Sequence, residues 1–68
     1  MIALQPEVPV IKNEYYEIDI DGLGHDGEGV GRIKGFTVFV PYGLPGDRLK
    51  IKILKVKKSY AYGKLMDI

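Results

Sequence analysis

Six glycines fall within the fourteen residues from Gly22 to Gly35, and that density excludes a helix through the middle of the chain. Glycine gives up more backbone entropy on folding than any other residue, so a small domain keeps it where the chain must turn tightly or approach another strand closely. Gly22, Gly24 and Gly27 also match the GxGxxG spacing, which cradles a pyrophosphate only when a helix N-terminus follows. More glycine and then the β-rich Phe36-Thr37-Val38-Phe39-Val40 follow instead, so the spacing carries no dinucleotide site. The stretch predicts a bent strand around Val30, Arg32 and Ile33, a tight connection at Lys34-Gly35, and a second strand ended by Pro41.

The rest of the chain alternates with period two. Tyr16, Ile18 and Ile20 oppose Glu17, Asp19 and Asp21, the pattern of a half-buried strand. The Pro45-Gly46 pair marks a turn within Pro41 to Asp47. From Arg48 to Lys57 apolar residues alternate with cations, but adjacent Ile53 and Leu54 slip the phase, which predicts either a bulge or the coil of a strand that serves two sides of a barrel. In the last strand, Tyr60 to Ile68, the small residues Ala61 and Gly63 and then Leu65 face inward, while Tyr60, Tyr62, Lys64 and Met66 face outward. Val38 and Val40 share one face with Phe36, leaving Phe39 on the other. Nothing shows period 3.6 over more than two turns. The expectation is an all-β chain, a small five-stranded closed barrel of OB-like or SH3-like form, spanning residues 14–68 behind an extended or disordered lead-in at 1–13 that contains Pro6 and Pro9.

Composition narrows the chemistry. There is no cysteine, which excludes a disulfide framework, a thiolate zinc site, an iron–sulfur cluster and a cysteine nucleophile within this chain. His25 stands alone beside Asp26 and Glu28, and Ser59 is the one serine with no base in view, so neither a metal site nor catalysis is expected. No apolar run approaches the length of a membrane span, and the N-terminal residues carry two prolines and no basic segment, so a soluble cytoplasmic protein without a membrane partner is expected. Net charge is +1, but residues 1–28 hold one lysine against seven carboxylates, net −6, and residues 29–68 hold nine cations against two carboxylates, net +7. Such asymmetry predicts either a charged face or acidic and basic strands lying side by side as cross-strand pairs.

The run Gly27-Glu28-Gly29-Val30-Gly31-Arg32, then Gly35 to Pro41, then Leu44-Pro45-Gly46-Asp47, then a lysine-alternating strand ending at Lys57-Lys58, resembles the TRAM domain in order and spacing. The resemblance covers Glu14 to Asp67 and is nearest to the N-terminal TRAM domain of 23S rRNA (uracil-5-)-methyltransferases. It implies an OB-like barrel that binds RNA, ribosomal RNA first and transfer RNA second, for a catalytic domain in cis that uses S-adenosylmethionine, a cysteine nucleophile and an iron–sulfur cluster. The ending at Leu65-Met66-Asp67-Ile68 fits a monomeric N-terminal domain of such an enzyme; a free-standing TRAM protein acting as an RNA chaperone is the alternative.

RNA binding without strong sequence preference needs cations along the backbone and aromatic faces for unstacked bases. Two groups qualify. Lys57, Lys58, Tyr60, Tyr62 and Lys64 lie together late in the chain; Arg32, Lys34 and Phe39 form the second. Arg32 has a planar fork suited to phosphate, with pairing to Glu28 or Asp26 as its competing role. A different reading makes the domain a protein interaction module, packing exposed aromatics and the acidic Glu17, Asp19, Asp21 face on the catalytic domain.

Overall fold

The computed structural model describes residues 8–67. Five strands make up the chain: β1 (Tyr15–Leu23), β2 (Gly29–Ile33), β3 (Phe36–Val40), β4 (Arg48–Val56) and β5 (Tyr60–Asp67). They close into a barrel in the order β1-β2-β3-β5-β4, so the expected five-stranded all-β barrel is the fold observed. All pairings are antiparallel except β3 with β5. Closure leaves no open sheet edge, which matters for a lysine-rich β chain of this length.

Alternation in the sequence becomes inside and outside in the barrel. Ile18 and Ile20 of β1, Val38 and Val40 of β3, Leu49, Ile51 and Ile53 of β4 and Ala61 of β5 are buried, with Phe36 and Leu65 packed against them. The phase slip at Ile53-Leu54 is a register shift in the β4–β5 ladder between Ile53 and Lys55, and it leaves Leu54 exposed. Lys34 and Gly35 both take positive φ, 52° and 83°, the geometry of a two-residue hairpin whose twist matches its strands. Glycine costs nothing there, and Lys34 is tolerated beside it because its chain points into solvent.

The loop from β3 to β4 is tied to β1. Gly46 N–H donates to Ile20 O at 2.8 Å and Ile20 N–H donates to Asp47 O at 2.9 Å, where the β1–β2 register breaks between Ile20 and Gly22. These bonds extend the β1–β4 register, Asp19 opposite Arg48, by one residue into the loop. Of the lead-in, residues 1–7 lie outside the described residues, as does Ile68. The remainder is held on the barrel: Val10 is buried in the core, Ile11 N–H donates to the Tyr16 hydroxyl at 2.8 Å, and Asn13 N–H donates to Ile53 O at 2.7 Å. Val8, Val10 and Ile11 make an apolar run broken by Pro9 that is too short to show in the sequence which of them is buried.

Candidate nucleic-acid interface

The parallel β3–β5 ladder sets Thr37 opposite Tyr60 and Phe39 opposite Tyr62, all on the outer face. Phe39, Tyr60 and Tyr62 consequently meet. Their ring centroids stand 5.6 Å (Phe39–Tyr60), 5.8 Å (Phe39–Tyr62) and 5.5 Å (Tyr60–Tyr62) apart, two of the contacts edge-to-face. Edge-to-face packing complements ring quadrupoles and fixes each ring without sealing it from solvent. Tyr62 keeps 39% of its surface exposed. The two groups that the sequence presents as separate candidates therefore form one surface, joined by Phe39.

The cations take different positions around it. Lys57 and Lys58 sit exposed in the connection between β4 and β5, where Lys57 N–H donates to Tyr60 O at 2.7 Å, so this turn carries two lysines directly into the first aromatic residue of β5. Lys64 lies exposed on β5 opposite Lys52 of β4, and Lys34 projects from the β2–β3 turn. Arg32 lies on β2 opposite Thr37, in the row next to the rings. Its guanidinium stands 3.7 Å from the Asp21 carboxylate rather than beside Glu28 or Asp26. Both groups are more than half exposed, so the pair is weak and phosphate can compete for the arginine.

The opposite flank is organised by charge pairing. Antiparallel β1 and β4 set Asp19 opposite Arg48 and Glu17 opposite Lys50. Arg48 donates to both Asp19 oxygens at 3.0 and 3.1 Å and to Glu17 at 3.3 Å. Its guanidinium is held further above its ordinary value, first by the charge of Asp19 and then by hydrogen bonds to Asp19 and Glu17. The acidic half of the sequence thus lies beside part of the basic half. On the same flank the Lys50 and Lys52 ammonium groups each stand 5.9 Å from the centre of the Tyr15 ring, at the outer limit of a cation–π contact.

Next to the aromatic cluster lies a cleft of about 630 Å³ that has no signature in the sequence. It is lined by Phe39 and Tyr62, by Pro41, Tyr42 and Leu44 of the β3–β4 loop, and by Asp26 and Glu28 of the β1–β2 loop. The two loops are close because Gly29 at the start of β2 lies on the Gly43 backbone, where a Cβ would come within 2.8 Å of the Gly43 carbonyl oxygen. Tyr42 is 87% exposed and holds φ at 72°.

Among the described residues no group of His, Asp or Glu could hold a metal ion. With no cysteine in the chain, its donors do not fit an iron–sulfur cluster.

Comparison with known proteins gives a consistent relationship. The family model described as TRAM domain matches residues 9–66. The chain is 50% identical over 60 residues to an uncharacterized RNA methyltransferase of Bacillus cereus, covering 88% of the chain and 13% of that protein. It is 51% identical over 65 residues to an uncharacterized RNA methyltransferase of Clostridium acetobutylicum, covering 96% of the chain and 14% of that protein. The chain thus spans about one-seventh of the length of such relatives. The solution structure of a conserved protein from Methanococcus maripaludis superposes with a TM-score of 0.83 at 35% identity, covering 97% of this chain and 99% of that one.

Proposed function

This chain belongs to the TRAM domain family, an RNA-binding fold, and on that premise we propose that it binds single-stranded RNA on the outer face of β3 and β5. The observation that carries the reading is the contact of Phe39, Tyr60 and Tyr62 on a face whose strand and adjoining turn also carry the exposed Lys57, Lys58 and Lys64. Unstacked bases find π-faces on the rings, and Lys57, Lys58, Lys64 and Arg32 neutralise the phosphates on either side. In the OB barrel, the β2–β3 face and the β1–β2 and β4–β5 loops are the surfaces that meet oligonucleotides, and Arg32, Phe39, Lys57 and Lys58 sit there.

In the longer proteins that it resembles, such a domain would dock substrate RNA for a methyltransferase domain in cis. We assign it to uracil-5 methylation of ribosomal RNA in the cytoplasm, acting as a monomer, with S-adenosylmethionine, the cysteine nucleophile and the iron–sulfur cluster held by the rest of the enzyme. This barrel contributes affinity and position; the chemistry lies elsewhere. The competing reading, docking through the acidic face, is weakened because Arg48 bridges Glu17 and Asp19.

The test is the salt dependence of binding to fluorescein-labelled oligouridine by anisotropy. With about four phosphates neutralised, a slope of about −0.7 for each predicts about a 50-fold loss of affinity between about 50 and 200 mM salt. A flat response, or no binding, would contradict the proposal.

A further inference from the structure

The cleft beside the aromatic face has a chemistry that phosphate binding does not explain. Its lining brings three aromatic residues, Phe39, Tyr42 and Tyr62, together with two acidic ones, Asp26 and Glu28. Carboxylates repel phosphate, so on a face that attracts RNA they are a cost unless something with hydrogen-bond donors enters between them. Among the described residues neither carboxylate is paired with a cation. The loop fixes one of them: Glu28 Oε1 accepts the Asp26 backbone N–H at 2.9 Å, and Glu28 O accepts Gly24 N–H at 2.6 Å.

Tyr42 adds an independent observation. A tyrosine in the left-handed region is strained where glycine or asparagine is easier, and this one, at φ 72°, packs away almost none of its ring. The Tyr62 phenol is pushed above its ordinary value first by Tyr60 and then by burial, with Glu28 and Asp26 contributing last.

Resting on the proposal that this face binds RNA, we infer that the cleft takes one guanine base, its ring stacked among Phe39, Tyr42 and Tyr62 and its N1–H and N2 amino group donating to the Asp26 and Glu28 carboxylates. Aromatic stacking accepts any base, so the carboxylates decide. Guanine alone presents two adjacent donors on its Watson–Crick edge. Uracil presents one N–H between two carbonyl oxygens, which carboxylates repel; adenine and cytosine each present one amino group beside a ring-nitrogen acceptor.

The test compares the 68-residue chain binding labelled oligouridine with the same strand carrying one guanosine, adenosine, cytidine or inosine at its centre. The inference predicts at least about a five-fold preference for the guanosine strand, the low end for a two-donor base contact, with inosine intermediate because it keeps N1–H and lacks the amino group. Asp26→Asn and Glu28→Gln should each bring the guanosine strand toward the affinity of oligouridine, and Tyr42→Ala should do the same without touching a charge. Equal affinity for all five strands overturns the guanine assignment while leaving RNA binding intact. Uniformly tighter binding by both carboxylate variants does the same, since it makes them only a phosphate barrier. Loss of binding to every strand overturns both readings. In an NMR titration with free nucleotide and with argininamide, shifts at Asp26, Glu28 and Tyr42 with guanosine monophosphate support the inference; shifts with argininamide alone assign the cleft to a basic protein partner and overturn it.

Discussion

The two flanks of this barrel use one alternation for different ends. On β1 and β4, outward carboxylates meet outward cations across an antiparallel ladder, and Arg48 joins Glu17 and Asp19 into a small charge-paired network. On β3 and β5, a parallel ladder puts aromatic rings in the corresponding outward places, and Lys57, Lys58 and Lys64 surround them. Among the described residues those three lysines have no acidic partner. The strong charge asymmetry along the sequence is therefore partly cancelled on one flank and left uncancelled on the other. On the proposed reading, which strands are neighbours matters more to an RNA-binding β surface than how many cations the chain carries.

Substitutions on each flank put that contrast to the test. The largest effect is expected at the core that both flanks share: Ile51 is fully buried, and Ile51→Ala should lower stability by about 2–5 kcal/mol in urea unfolding. Both flanks should fail together, because one closed barrel holds them. Next comes Tyr62→Ala, which removes a stacking ring and should weaken RNA binding by about 5- to 150-fold, whereas Tyr15→Ala on the charge-paired flank should leave it within error. Equal losses would erase the distinction.

A smaller effect separates the lysines. Replacing Lys57 and Lys58 by Gln should reduce the salt slope of binding by about 0.7 for each phosphate no longer neutralised, while Lys50→Gln with Lys52→Gln should leave the slope unchanged. The smallest effect reads the meeting of the rings. The Tyr62 phenol titrates above its ordinary 10.0 because its phenolate would form beside Tyr60, so its alkaline transition, followed by ultraviolet absorbance, should move back down in Tyr60→Phe. The sign follows: a raised phenol favours the folded state fully below the ordinary value, and that contribution is lost as pH rises through the folded one.

Alternation makes most of the fold readable from residues alone. Parity places Ile18 and Ile20, Val38 and Val40, and Leu49, Ile51 and Ile53 inward, and the doublet Ile53-Leu54 announces its bulge. Parity also sets Phe39, Tyr60 and Tyr62 outward. It cannot bring them together, because β3 and β5 are not consecutive and their pairing depends on how the barrel closes. The same limit hides Asp21 as the partner of Arg32, and the cleft, which is assembled from two loops remote in sequence. Tyr42 stays hidden because turn chemistry explains Pro41 and Gly43 and leaves the residue between them unread. Val10 does so because the run Val8-Pro9-Val10-Ile11 is too short to show which residue turns inward.

Chemical-shift mapping of the isotope-labelled chain with short single-stranded RNA, at low and at physiological salt, reads both flanks in one experiment. If β3 and β5 carry the RNA, shifts fall at Arg32, Phe39, Lys57, Lys58, Tyr60, Tyr62 and Lys64 and shrink as salt rises, with Tyr15, Glu17, Asp19 and Arg48 unmoved. Shifts centred on the β1–β4 flank, or spread evenly over both, would contradict that assignment.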